Sequence, residues 1–70
     1  MTANNTYLKE MGSKIKAARK VNKLTLPQMS ELCKTDMSNL WFLEQGQRNA
    51  HILTLKSIAD VLKMDVKDFI

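Results

Sequence analysis

The 70-residue sequence holds one cysteine, one proline, one histidine and two glycines. A lone cysteine, Cys33, excludes a disulfide within the chain, so stability has to come from packing, as suits a reducing cytoplasm. With a single His and two Gly, neither a Ser-His-carboxylate set nor a phosphate-cradling glycine loop can be assembled, so no enzymatic activity is expected. His51 and Cys33 lie far apart with no ligand spacing around them, which leaves no metal site and no cofactor to expect. Long apolar runs are missing too. Nowhere do about 18 apolar residues follow one another, and Met1 to Glu10 lack the apolar stretch of a signal peptide. The expectation is a soluble, cytoplasmic protein with no membrane contact, short enough to form one domain and no more.

What the chain does have is 44% hydrophobic and 26% charged residues, a globular composition. Its net charge is +4, which favours an acidic partner such as nucleic acid. The surplus is uneven: residues 1 to 23 carry six basic side chains (Lys9, Lys14, Lys16, Arg19, Lys20, Lys23) against Glu10 alone. Residues 24 to 50 are slightly acidic, and residues 51 to 70 are balanced.

Residues 1 to 5 are polar and are expected to be disordered, with a single domain over residues 6 to 70. From Tyr7 to Asn22 the spacing of Leu8, Met11, Ile15 and Ala18 predicts an amphipathic helix with the basic residues on its other faces. Gly12 inside it either admits another backbone at close range or is simply tolerated at about 1 kcal/mol. Thr25 and Gln28 have the spacing of a capping box, and Pro27 sits in the first turn, where its missing N–H does no harm. The helix they start turns Met29 and Cys33 inward. Asp36 reads as the cap of a next helix over Met37 to Glu44, closed by Gly46. Two short helices so closely spaced make a helix-turn-helix. After a polar loop, Ile52, Leu55, Ile58, Ala59 and Leu62 predict a fourth helix, and Asp65 caps a fifth, whose Val66, Phe69 and Ile70 are expected to close the core.

The stretch Leu24 to Gly46 (LTLPQMSELCKTDMSNLWFLEQG) resembles, without a gap, the helix-turn-helix of Cro-like and lambda-repressor-like regulators, the XRE family. The likeness is carried by Thr25 and Asp36 at the two caps, Met29 and Ser30 in the first helix, Leu40 and Leu43 in the second, and Glu44 followed by Gly46. Met11-Gly12 with Lys14-Ile15, and Thr54-Leu55 through Leu62, extend it to residues 11 to 70. The resemblance implies an all-α, five-helix lambda-repressor-like bundle and a DNA-binding transcription regulator. It implies a recognition helix from Met37 to Glu44 in the major groove of double-stranded DNA, and a homodimer on a pseudo-palindromic site. The dimer contact is expected at the C-terminal helix, through Phe69 and Ile70.

At 100° per residue the inward direction of the Met37 to Glu44 helix falls between Leu40 and Leu43, placing Ser38 opposite, with Trp41 and Phe42 flanking it and Met37 at the edge. The positions of Met37, Ser38 and Phe42 usually carry base-reading polar groups in the family; here hydrogen bonding falls to Ser38 and Asn39. Apolar groups still touch thymine methyls, so a T-rich or shape-dependent target follows. Either of Trp41 and Phe42 can instead fold back as core. Leu26 stands where the family often has a phosphate-touching Gln, leaving Thr25 and Gln28 either to take over that contact or to serve as a cap alone. Arg48, flanked by Gln47 and Asn49, is the leading phosphate contact, the alternative being an ordinary solvated charge. Lys34 replaces the usual turn glycine. The basic face of the first helix is either solvated or steers DNA from a distance. A second reading keeps the fold but makes Leu26, Met37, Trp41 and Phe42 an apolar docking patch for a protein partner.

Overall fold

The computed structural model of the chain describes residues 3 to 69. Its elements are α1 (Ala3–Val21), α2 (Leu26–Cys33), α3 (Met37–Glu44), α4 (Ile52–Leu62) and a single 3-10 turn over Val66–Asp68. All regular structure among the described residues is thus helical. The fifth element is shorter than the helix expected: Asp65 and Asp68 close a capping box around one turn, and among the described residues no α-helical hydrogen bond follows. Helix α1 is already formed at Ala3 rather than starting at Tyr7; residues 1 and 2 of the expected disordered start lie outside the described ones.

The boundaries follow local chemistry. Thr25 Oγ1 accepts from the Gln28 amide at 3.2 Å while Gln28 Oε1 accepts from the Thr25 amide at 2.9 Å, which satisfies two donors that a helix start otherwise leaves unpaired. At α3 the Asp36 carboxylate accepts from the Ser38 amide at 3.1 Å. Gly46, at φ +74°, ends that segment, and its amide donates to Leu43 O at 3.2 Å. The cap of α4 is His51, whose Nδ1 accepts from the Leu53 amide at 3.2 Å. By contrast, α1, α2 and α4 end without glycine. Lys23, Lys34 and Lys63 take the left-handed conformation at φ between 55° and 59°, a costly region for a side chain with a Cβ. Only Lys34 is a position where the family resemblance raised the question.

The core collects Met11 and Ile15 from α1, Met29 and Cys33 from α2, Leu40 and Leu43 from α3, and Leu55, Ile58, Ala59 and Leu62 from α4, with Phe69 below them. These are the 3- and 4-residue spacings of the sequence, with one exception. Ile52, read as part of the α4 stripe, is 55% exposed, as Leu53 is at 66%. Both sit in the first turn of α4, ahead of Leu55, the first buried residue of that helix. Phe69 closes the core as expected, at 1% exposure. That burial removes it as the dimer contact anticipated from the sequence, because a side chain already enclosed by its own chain has no surface to offer a second copy. Ile70, the other half of that expectation, lies outside the described residues.

Gly12 is where α1 meets α3. A Cβ built there would fall 2.3 Å from Leu43 O and 2.7 Å from Glu44 O, so of the two readings of this glycine the close approach is the correct one. Beside it stands an ion pair. Arg19 Nε donates to Glu44 Oε2 at 2.7 Å and Nη2 to Oε1 at 3.1 Å, while Nη1 donates to Leu24 O at 2.8 Å. Both residues are buried. Arg19 therefore does not belong with the solvated basic face of α1: it ties the end of α1, the α1–α2 loop and the end of α3 together.

Candidate functional site

Helix α3 is divided lengthwise. Leu40, Leu43 and Glu44 face inward and are buried, which leaves Met37, Ser38 and Trp41 exposed on the other side, Phe42 half-buried between the two, and Asn39 half-buried as well. The Lys34, Thr35 and Asp36 turn fixes this orientation. Thr35 N–H donates to Ser30 O at 3.1 Å, and the Ser30 hydroxyl donates back to Thr35 O, so the turn is bonded in both directions.

Of the two aromatic side chains that could have folded back as core, Trp41 does not: it is 44% exposed. Its ring meets Phe42 edge-on, with centroids 5.2 Å apart and planes at 80°, a favoured aromatic geometry. Together with Leu26 from α2 and with Met37 and Ser38, they line an apolar pocket of about 250 Å³. Met37, at 46% exposure, forms its outer lip. The apolar patch expected from the sequence is thus present as a concave surface, assembled from the first turn of α2 and the outer face of α3.

Arg48 comes to this face from the loop after α3. Its guanidinium carbon lies 4.6 Å above the centre of the Phe42 ring, and its Nη1 donates to Asn39 Oδ1 at 2.9 Å. Two contacts on an exposed arginine reduce the rotamer freedom it would otherwise lose on binding an anion. Its remaining N–H donors are not bonded within the described residues. Asn39 has a part in this site beyond the one expected: its carbonyl oxygen accepts from Arg48 and anchors it, while its amide N–H groups make no side-chain bond among the described residues. Gln47 and Asn49 flank Arg48 and are exposed. Thr25 and Gln28, also exposed, use one oxygen each on the cap and retain the Gln28 amide and the Thr25 hydroxyl proton as donors.

The buried Cys33 thiol is pushed above its ordinary pKa by desolvation, which marks it as a small core hydrophobe and not a reactive group. Among the described residues no cluster of three or more His, Cys, Asp or Glu side chains is placed to hold a metal ion, and no helix is long and apolar enough to cross a membrane.

No family model matches the sequence, and no curated protein matches it either. Solved structures do. The restriction-modification controller protein C.AhdI from Aeromonas hydrophila superposes with a TM-score of 0.85 at 22% identity, over 90% of this chain and 96% of that one. The clp gene regulator ClgR from Corynebacterium glutamicum gives 0.84 at 22% identity, over 90% of this chain and 67% of the other. At such identities the likeness shows the fold alone: the chain shares the helical fold of these two proteins, in keeping with the all-α helix-turn-helix architecture expected from the sequence.

Proposed function

We propose that the protein is a DNA-binding transcription regulator of the cytoplasm that lays α3 in the major groove. The observation that carries this reading is the juxtaposition on α3: an exposed outer face whose one nearby guanidinium, that of Arg48, is held in place by Asn39 and Phe42. Arg48 takes a backbone phosphate at the end of α3, with Gln47 and Asn49 beside it. Thr25 and Gln28 meet the phosphates at the start of α2 through their free donors and the backbone amides there. Met37, Ser38, Trp41 and Phe42 face the base edges. The fold shared with two regulators supports this assignment. The basic residues of α1 steer the encounter, a long-range effect that ionic strength screens.

The chain works as a homodimer on a pseudo-palindromic site, since one α3 touches only a few base pairs and two half-sites multiply their discrimination. With Phe69 enclosed, the dimer contact lies elsewhere on the surface. The test is selection from a pool of random duplexes by the purified protein, followed by affinity measurement across a salt series. A recovered inverted repeat and a steep salt dependence are expected, and Arg48→Ala lowers the log–log slope by about 1. No enrichment at low salt would overturn the reading in favour of the protein-docking alternative, which the concave patch of Leu26, Met37, Trp41 and Phe42 also suits.

A further inference from the structure

We propose that the pocket of Leu26, Met37, Ser38, Trp41 and Phe42 is a subsite for the C5-methyl group of a pyrimidine, so that the protein reads thymine and 5-methylcytosine alike and discriminates against their unmethylated counterparts. The inference rests on the DNA-binding reading above and goes beyond it by naming what α3 recognises. The pocket is apolar except for Ser38. A surface with so few donors and acceptors cannot make the bidentate hydrogen bonds that usually identify guanine or adenine. The apolar feature that an unmodified major groove offers is the methyl group of thymine, and methylation of cytosine puts the same group on the same ring carbon.

The dimensions agree. A volume of about 250 Å³ accommodates a methyl group together with the base edge that carries it. Trp41 and Phe42, fixed edge-on to each other, make a wall that does not have to be ordered when the ligand arrives. The pocket's charge also selects the occupant. The Arg48 guanidinium stands over Phe42, one of the lining residues, at 4.6 Å, so a cation is held against a ring that lines the pocket. The Asp36 carboxylate, at the start of α3, is turned to its own helix, accepting from Ser38 N–H. An apolar group carried by a polyanion fits that arrangement better than the uncharged apolar face of a partner protein.

The experiment starts from the duplex recovered by selection and replaces one thymine at a time by uracil, which removes a methyl group and nothing else. At one symmetric position per half-site, uracil is expected to weaken binding about fourfold for each methyl removed, the burial of roughly one carbon group. Exchanging that T·A pair for C·G weakens binding as well, and 5-methylcytosine at the same place restores most of the loss. Trp41→Ala, at an exposed position, brings the thymine-to-uracil ratio close to 1 with the far-UV circular dichroism unchanged. Arg48→Ala weakens every duplex by the same factor. Equal affinity for thymine and uracil duplexes at every position overturns the methyl subsite and leaves the DNA-binding reading standing. A folded Trp41→Ala protein with an unchanged ratio overturns the assignment to this pocket, and failure to enrich any duplex overturns both.

Discussion

Replacing Gly12 by alanine sets two physical effects against each other, and the structure decides the sign. Intrinsic propensity favours alanine by about 1 kcal/mol in the interior of a helix. Against it, the new Cβ would lie 2.3 Å from Leu43 O, 2.7 Å from Glu44 O and 2.9 Å from Glu44 C. All three are backbone atoms at the end of α3, which no rotamer change can move aside. Restoring contact distance needs a separation of α1 from α3 of roughly 1 Å, enough to forfeit up to half of the dispersion well for each atom pair along that seam. Met11 and Ile15 on one side and Leu40 and Leu43 on the other are the pairs concerned, and the Arg19–Glu44 ion pair is stretched with them. Overpacking of a rigid site costs about 1–3 kcal/mol. With an ion pair added, the upper end applies, and after the propensity gain the net destabilisation is about 2 kcal/mol. Thermal unfolding followed by circular dichroism should show a melting temperature lower by roughly 8–16 °C for a domain of this size. Ala17→Gly, at an exposed position of the same helix, calibrates the propensity effect alone at about 1 kcal/mol. A Gly12→Ala protein as stable as the parent, or more so, would refute the close approach of the two helices.

Glu44→Ala leaves the Arg19 guanidinium buried without its partner and should cost about 3–5 kcal/mol, read as a lower urea midpoint; Arg19→Met with Glu44→Leu removes both charges and should recover most of it. Lys34→Gly relieves a left-handed residue at φ 55° and should raise stability by about 0.5–1 kcal/mol, a few degrees in melting temperature. Thr25→Ala removes the α2 cap, with a loss of about 1 kcal/mol in the same assay. The raised pKa of Cys33 means that the unfolded chain gives up the thiol proton first as pH rises. Stability from this group is therefore complete below the unfolded value near 9.0 and declines as pH climbs from there through the folded value. Cys33→Ala should remove that decline from the pH dependence of unfolding.

The parts of this fold that were legible in the sequence are those whose cause is local. Thr25 with Gln28, and Asp36 with Ser38, bond within three residues, so the helix starts they specify stand in the sequence as short patterns. The inward pair Leu40 and Leu43 was equally readable, since one turn of helix relates them. Arg19 and Glu44 were not, because their bond spans a separation of 25 residues. A trace of it was nevertheless present: Arg19 falls four residues after Ile15, and Glu44 four after Leu40, so each charge sits on an apolar stripe. A charge in line with core positions on two different helices, with opposite signs, is the pattern to look for. Ile52 failed in the opposite way. Its spacing from Leu55 was right, but spacing records only direction around a helix axis and not whether a neighbour extends far enough to cover the first turn. The sequence suits Phe69 and Ile70 to core and to interface alike, and composition alone does not divide those roles.

The buried ion pair and the recognition face bear on each other. Arg19 holds the C-terminal end of α3 through Glu44 and the α1–α2 loop through Leu24 O, while the Asp36 cap and the doubly bonded Lys34 to Asp36 turn hold its N-terminal end. An eight-residue helix is too short to be stable by itself, so its orientation depends on these two clamps. They matter more here than in a helix rich in hydrogen-bonding side chains. Long polar groups tolerate small displacements by changing rotamer, whereas an apolar pocket gains its energy from contact distances and loses it within an ångström. A weakened clamp that leaves the protein folded should therefore erode sequence discrimination before it erodes affinity for phosphates. Glu44→Gln, which keeps a hydrogen-bond acceptor for Arg19 while removing the charge, is the suitable perturbation. Under conditions where it remains helical, its affinity for a non-cognate duplex should stay within about twofold of the parent's, and its preference for the selected site should fall several-fold. Equal losses on both duplexes would show that α3 is positioned by the DNA and not by the ion pair.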